Sequence, residues 1–342
     1  MSYCNQTCNS NQLIDAVYAN PVMMAEDFPP LKYIQKASNI LYSIDPSPKY
    51  EYQIRRYIEF IQKRQLPTNA RIIVSAGGSS QLVSAFYWSV QKILNQPITI
   101  KSSIAPPFYS LHQDLAELTA NCSWVNYDEP TSDIIVVVSP NNPNGILQTY
   151  PSSASSNTYV LLDSVYDRPQ FSNTNTVNPW KFNEYNNPYF CEVNSFSKIG
   201  MAGVRIGYAI TTNDDIYNNM TNYVSTTTLG TNTWGMFNLE GNLSQCGELY
   251  NNNFYRNFYG RLQWRQRQIR SIIPSRLISS ELTVPLLFVK VPFEAFLEVG
   301  VEVRKGEVFE VSNEYSRINL MISDCDFKEL LRRISQINYN EY

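Results

Sequence analysis

The chain has 342 residues, 43% of them hydrophobic and 17% charged, with a net charge of −3. That composition is globular, long enough for a large domain plus a smaller one, and too polar overall for a disordered or fibrous chain. No basic block points to nucleic acid, no apolar run is long enough to span a bilayer, and the polar start "MSYCNQTCNSNQ" lacks the apolar core of a signal peptide.

In chain order, "RIIVSAGG" (71–78) reads as a strand ending in a glycine turn. "SSQLVSAFYWSVQKIL" (79–94) reads as a helix with Leu82, Val83, Phe86 and Val90 on one face. "ITIKSSIAPPF" holds a short strand that ends before Pro106, and "YSLHQDLAEL" follows with helical spacing. "SDIIVVVSPNNPNG" (132–145) is a fully apolar strand running into a Pro/Asn/Gly turn, and "TYVLLDSVYD" (158–167) repeats the pattern. "YFCEVNSFSK" and "VRIGYAITT" read as two more strands. Strands that are apolar on both faces and separated by helices imply an α/β fold with a mainly parallel, helix-covered sheet. Beyond Gly230 the texture changes: a long amphipathic helix (251–273), strands in "LTVPLLFVKVP" and "YSRINLMIS", and a closing helix (326–337). The expected division is a large domain at 46–245 and a smaller α+β domain from 1–45 plus 246–342.

The six cysteines are dispersed, and His112 is the only histidine. This excludes a usual Cys/His zinc site and leaves no Ser-His-Asp or Cys-His centre, so no metal is expected. The cysteines read as free thiols of a cytoplasmic protein, and His112 as a surface or core-edge residue of its helix.

Ligands of open α/β sheets bind beyond the carboxyl ends of the strands, and there the sequence places an unusual set of groups. Gly78 and Ser79 open a helix whose free N–H groups suit a phosphate, although Ser79 also reads as an ordinary N-cap. Tyr109 or Phe108 lies where a ring would cover a flat ligand. Asn142 offers an amide, and Asp163 closes an apolar strand with Tyr166 three residues on. Ser195, Ser197 and Arg205 surround Lys198. An anion site, a ring cover, a carboxylate, two hydrogen-bond donors and a lysine together match one ligand, pyridoxal phosphate.

These motifs, in this order, resemble those of fold-type I pyridoxal-phosphate enzymes, and most of all the alliinase and plant tryptophan aminotransferase family. The matching segments run from "VSAGGSSQL" through "APPFYS", "SPNNPNG", "LLDSVYD" and "SFSKIGMAGVRIGYAI" to "VRKGEVFEVSNEYSRINLMIS". "YANPVMM" (18–24), with Asn20, is similar to the family's N-terminal substrate segment. The resemblance implies that Lys198 binds the cofactor covalently and moves protons, that Asp163 pairs with the pyridine nitrogen, and that Tyr166 and Asn142 contact the ring oxygen. It also implies that Tyr109 stacks on the ring, that Gly78, Ser79, Ser195, Ser197 and Arg205 hold the phosphate, and that Arg317 takes the substrate α-carboxylate. Tyr42 would reach a neighbouring subunit's phosphate.

Three features depart from the family's pattern: only Ile199 separates Lys198 from Gly200, Met201 replaces a histidine, and Ala19 stands where a glycine is usual. Cys4 and Cys8 do not replace the cysteine-rich N-terminal domain of alliinases. The implied function is an aminotransferase acting on an α-amino acid and a 2-oxo acid, as a homodimer. Its rivals are an alliinase-type C–S lyase and an inactive fold-type I binding protein.

Overall fold

The computed structural model describes residues 13–17, 48–60, 64–168, 171, 186–199, 202–232, 235–236 and 254–342. Asn20, Tyr42, Ala19, Gly200, Met201, Cys4 and Cys8 lie outside these residues, so the expectations placed on them are not addressed by the structure.

Seven strands pair into one sheet, one of which, Cys122–Trp124, is not marked by the sequence pattern. They are β2 (Arg71–Ser75), β3 (Ile98–Ser102), β4 (Cys122–Trp124), β5 (Ile134–Val138), β6 (Tyr159–Asp163), β7 (Phe190–Ser195) and β8 (Gly207–Thr211), in the order β2-β8-β7-β6-β5-β3-β4. β8 is antiparallel to both its neighbours and the remaining pairs are parallel. β2 therefore runs in the same direction as β5, β6 and β7, and the carboxyl ends of all four lie on one edge of the sheet.

Side chains alternate between two apolar layers, as a period of two requires. Ile72, Val74, Ile135, Val137, Val160, Leu162, Tyr208 and Ile210 face one layer, which continues into the C-terminal elements. Ile73, Ile134, Val136, Leu161, Cys191, Val193 and Ala209 face the other. There they meet α2 (Ser79–Leu94) and α4 (Asp214–Thr228), through Leu82, Val83, Phe86, Val90, Ile216 and Met220. Each such aliphatic side chain contributes about 1.5–3 kcal/mol when fully buried, which is why all five residues of β5 are apolar.

α1 (Pro48–Phe60) and α5 (Phe254–Arg270) bury Ile54, Tyr57, Ile58, Phe258 and Leu262 in the first layer. A three-stranded antiparallel sheet is built from β9 (Leu286–Val289), β11 (Arg304–Lys305) and β12 (Ser316–Asn319), in the order β11-β12-β9. A short parallel pair joins β1 (Ile14–Asp15) to β10 (Val301–Glu302), and α6 (Asp324–Ile334) is the last α-helix among the described residues.

Two expectations are corrected. His112, in the first turn of α3 (Leu111–Leu118), is buried rather than at the surface. Cys122 and Cys191 are free thiols, but Cys325 is disulfide-bonded, its partner lying outside the described residues. Among the described residues no helix is long and apolar enough to cross a membrane, and no cluster of His, Cys, Asp and Glu could hold a metal.

Candidate active site

The edge formed by the carboxyl ends of β2, β5, β6 and β7 gathers the polar groups that the sequence singles out. Lys198 sits in the single turn Phe196–Ile199 that follows β7. Ser195 shapes this turn: its Oγ accepts from the Ser197 N–H at 3.1 Å and donates to Ser197 Oγ at 2.8 Å, a local motif that ends the strand. Phe196 anchors it, with its ring 5.3 Å from those of both Tyr57 and Tyr208. Lys198 Nζ lies 5.4 Å from the centre of the Tyr166 ring. The Lys198 pKa is lowered from 10.5 to about 8, first by burial, then by Arg317 and Arg205, with Asp163 opposing them. An amine with that pKa is about one-tenth unprotonated at pH 7, which suits a nucleophile or base.

Asp163 closes β6 with both carboxylate oxygens occupied. Oδ1 accepts from the Val165 N–H at 3.0 Å, and Oδ2 lies 3.1 Å from His112 Nε2. An ionised carboxylate only accepts, so Nε2 carries the proton. His112 Nδ1 is then the acceptor for the Tyr87 hydroxyl at 3.4 Å. Tyr87 stays a neutral phenol, its pKa raised by burial and then by Asp163. Thus the lone histidine, read from sequence as peripheral, holds the carboxylate in place.

An anion cradle lies at the end of β2. Gly78, not Ser79, is the N-cap of α2, and no side chain caps the helix. The N–H groups of its first turn, beginning at Ser79, therefore have no capping side chain and point out of the helix end. Gly78 has φ 74°, and a Cβ there would come 2.8 Å from Arg205 Nη2. Arg205 arches over this turn: Nη2 donates to the Gly77 carbonyl at 2.8 Å, and Nη1 reaches Ser197 Oγ at 3.4 Å. Its own φ of 58° is left-handed, a conformation that costs a non-glycine residue about 1–2 kcal/mol. The Gly78 N–H donates to the Arg205 carbonyl at 2.9 Å, so the two segments are locked together. Gly78, Ser79, Ser195, Ser197 and Arg205 are adjacent in space, with one residue fewer between Lys198 and Gly200 than the family usually has.

Asn142 and Arg317 are joined by a hydrogen bond. Arg317 is buried on β12; its Nη1 donates to Asn142 Oδ1 at 2.9 Å and its Nη2 to the Val17 carbonyl at 2.7 Å. Its Nε is buried with no partner. The guanidinium lies 5.1 Å from the Phe309 ring centre. Burial lowers the pKa of Arg317, with Tyr166 and Tyr109 acting against the shift. Tyr166 is buried beside it. Of the two candidate ring covers, Phe108 is buried against Trp124 at 5.8 Å, whereas Tyr109 is half-buried, 6.4 Å from Phe309 and close enough to act on Tyr166 and Arg317.

Beneath the Lys198 turn lies a buried network that sequence reading missed. Arg168 donates from Nη1 to the Tyr57 hydroxyl at 2.7 Å, and from Nη2 to Asn194 Oδ1 and to the Ser195 carbonyl. Asn194 Nδ2 donates to Ser164 Oγ at 2.7 Å, and Ser164 Oγ donates to Glu192. Glu192 receives both hydrogen bonds of Arg64 Nη2 at 2.7 Å, and Arg64 also pairs with Asp167 at 3.3 Å. Two arginines and two carboxylates balance, as burial demands. The signal was present: Glu192 is a lone acid inside the apolar strand "FCEVNS".

The family pattern described as "Allinase" matches residues 19–276. The chain belongs to the alliinase family. It is 24% identical over 315 residues to tryptophan aminotransferase-related protein 4 of Arabidopsis thaliana, covering 80% of this chain and 65% of that protein. It is 29% identical over 194 residues to histidinol-phosphate aminotransferase of Methanosphaera stadtmanae, covering 52% of this chain and 51% of the relative. It is 30% identical over 109 residues to alliin lyase 2 of Allium sativum, covering 32% and 21%. The chain thus spans less than two thirds of the length of these relatives. Among solved structures, an aspartate aminotransferase mutant of Thermus thermophilus superposes with a TM-score of 0.73 at 16% identity, covering 97% of this chain and 99% of the other. BacF of Bacillus subtilis gives 0.73 at 16% identity, covering 96% and 91%. The fold of this alliinase-family chain is that of the fold-type I pyridoxal-phosphate enzymes.

The site fits that cofactor by its own geometry. An uncapped helix end with a glycine against which a Cβ would clash lies on one side, and a carboxylate restrained by two donors lies on another. Between them stands a lysine of depressed pKa.

Proposed function

We propose that this chain is a pyridoxal-phosphate-dependent aminotransferase that exchanges an amino group between an α-amino acid and a 2-oxo acid. The observation that carries the reading is the convergence on Lys198 of a restrained carboxylate at the end of β6, an anion cradle at the end of β2 and a buried arginine on β12. The family and the names of its aminotransferase relatives support it.

Pyridoxal phosphate, when bound, supplies an electron-withdrawing ring that stabilises negative charge at the substrate Cα. Lys198 would hold the cofactor, and its Nζ, when free, would accept and return the proton of the substrate Cα. Its pKa of about 8 keeps the proton transfer near balance at neutral pH. Asp163, fixed by His112 and the Val165 N–H, keeps the ring nitrogen protonated. Tyr166 and Asn142 hold the ring oxygen, and Tyr109 covers the ring. Gly78, Ser79, Ser195, Ser197 and Arg205 hold the phosphate, while Arg317 orients the α-carboxylate, with Asn20 on the same substrate. The large domain at 46–245, the small domain at 1–45 plus 246–342 and a homodimer belong to the same proposal, whereas the cytoplasmic location expected from the sequence does not. The disulfide at Cys325 argues against the reducing surroundings that a cytoplasmic location implies.

The test is the absorbance spectrum of the purified, cofactor-loaded protein before and after a panel of amino acids, with and without 2-oxo acids. A change with an amino acid, reversed by a 2-oxo acid, is the expected result. Borohydride reduction followed by peptide mapping should label Lys198. No spectral change across a broad panel would reject the aminotransferase, and no label at Lys198 would reject the site. The similarity to alliin lyases favours one second reading, C–S bond cleavage. Release of pyruvate and ammonia from an S-alkyl cysteine derivative, with no 2-oxo acid added, would establish it.

A further inference from the structure

Arg317 shares its face of the three-stranded sheet with a second arginine. β11 and β12 are antiparallel, and their register places Arg304 directly opposite Arg317. Residues so paired project to the same face with Cβ atoms about 4.5–5.5 Å apart. Across the next strand the row continues to Phe288. Phe309 closes over this row: its ring lies 5.7 Å from that of Phe288 and 5.1 Å from the Arg317 guanidinium. Tyr109, 6.4 Å from Phe309, faces the same space. The neighbouring residue Lys305 places its ammonium 4.9 Å from the Phe293 ring.

Like charges directly opposite each other destabilise an antiparallel pair, and Arg304 is one of the charges that lower the Arg317 pKa, after burial. Arg304 is half-buried, and it has no hydrogen-bond or ion-pair partner among the described residues. Of the acids close to it in sequence, Glu307 accepts from Asn313 at 3.4 Å, Glu314 pairs with Lys290 at 3.7 Å, and neither Glu302 nor Glu310 forms an ion pair with it. Two guanidiniums held side by side with no carboxylate between them form a receptor for two negative charges, and each presents the planar fork that suits a carboxylate. Their order fits a substrate with its reacting carbon at Lys198. On the substrate side Arg317 acts on Lys198, as Arg205 does from the anion cradle, and Arg304 acts in turn on Arg317.

We infer that Arg304 and Arg317 together receive a dicarboxylate, an acidic α-amino acid and its 2-oxo diacid, with Arg317 on the α-carboxylate and Arg304 on the distal one. This rests on the reading of Arg317 as the α-carboxylate site of an aminotransferase. It makes one of the two substrates acidic, whatever the side chain of the other.

The experiment measures equilibrium binding of glutarate and of butyrate by calorimetry, on the protein with and without pyridoxal phosphate, for the wild type, Arg304→Gln and Arg304→Lys. One charge-assisted contact corresponds to about tenfold or more in affinity. Glutarate should bind the wild type at least about tenfold more tightly than butyrate. Arg304→Gln should remove that preference and leave butyrate binding unchanged, while Arg304→Lys should keep part of it. In turnover, Arg304→Gln should raise the KM for a 2-oxo diacid and leave the KM for pyruvate unaltered. Equal affinity of the wild type for the two acids would overturn the inference. So would equal weakening of both acids by Arg304→Gln in a variant that melts like the wild type, or, if that variant misfolds, an Arg304→Lys protein with full wild-type preference. A glutarate preference that depends on Arg304, with no amino acid altering the spectrum, would support the diacid site and reject the aminotransferase. Half-reaction with neutral amino acids alongside no glutarate preference would do the reverse.

Discussion

Replacing Lys198 by methionine will stabilise the cofactor-free protein at neutral pH. Burial, then Arg317, lowers the lysine pKa from 10.5 to about 8, and at about 1.4 kcal/mol per tenfold this corresponds to about 3 kcal/mol. The residue is partly exposed, so water screens some of the penalty and about 1–3 kcal/mol is expected. The sign follows from proton linkage. Below pH 8 the lysine is charged in both states and the folded state bears the cost of holding that charge. Between pH 8 and 10.5 the folded state releases its proton while the unfolded state keeps it, so wild-type stability gains with rising pH. The advantage of Lys198→Met should therefore be full below pH 8, shrink through that window and vanish above it. Methionine nearly matches lysine in length, and other titrations are common to both proteins and cancel in the difference. Urea unfolding of the two cofactor-free proteins at pH 7 and pH 10.5 measures it. A difference that does not change with pH, or a less stable variant at pH 7, would refute the reasoning.

Gly78→Ala forces a side chain into φ 74° with its Cβ 2.8 Å from Arg205 Nη2. It should cost about 1 kcal/mol in urea unfolding and weaken binding of pyridoxal phosphate more than that of pyridoxal, which lacks the phosphate. Glu192→Gln leaves the buried Arg64 and Arg168 with Asp167 as the remaining carboxylate of the network, and should lower stability by about 3–5 kcal/mol; a loss below about 1 kcal/mol would show that the charges are not coupled. His112→Phe keeps a ring of similar size but removes the donor to Asp163 Oδ2. It should weaken cofactor binding and amino-group transfer by about tenfold or more, shift the absorbance of the bound cofactor, and lower stability by about 1–3 kcal/mol because the buried Tyr87 hydroxyl loses its acceptor.

The sheet was legible because its physics is local. Runs such as Ile134–Val138 are apolar on both faces, which only a covered parallel strand satisfies, and the polar residue closing each run marks the functional edge. Lys198, Asp163 and Asn142 stand at or just beyond such ends, whereas Arg317 comes from β12 of the smaller sheet. What sequence could not supply was distance in space. His112 reads as one more position of an amphipathic helix, and only the docking of α3 against the end of β6 brings it to Asp163, 51 residues away. Glu192 is visibly out of place in an apolar strand, but its partner Arg64 lies 128 residues off. Tyr109 and Phe108 are adjacent aromatics, and the choice between them depends on Trp124, which draws Phe108 into the core. The opposition of Arg304 and Arg317 follows from strand register, which no pattern within either strand fixes.

The charges around Lys198 are arranged so that ligands change its basicity. Burial sets the low value, Arg317 and Arg205 deepen it, and Asp163 alone among the named charges raises it. Both arginines stand where an anion is proposed to bind. An anion at Arg205 cancels one lowering charge, and a carboxylate at Arg317 cancels the other, because each then meets Lys198 as a neutral pair rather than a cation. With both sites empty the amine is at its least basic, which favours the uncharged form that attacks a carbonyl carbon. With both sites filled the two lowering charges are cancelled and its basicity rises, which makes the free amine a stronger acceptor for a proton from carbon. Arg304 extends the same logic outward: while its site is empty its charge adds to the field at Arg317. A second carboxylate there lets the guanidinium of Arg317 pair more completely with the first. One lysine can thus serve as nucleophile in the empty site and as base in the occupied one, with the switch made by substrate charge rather than by movement of the backbone.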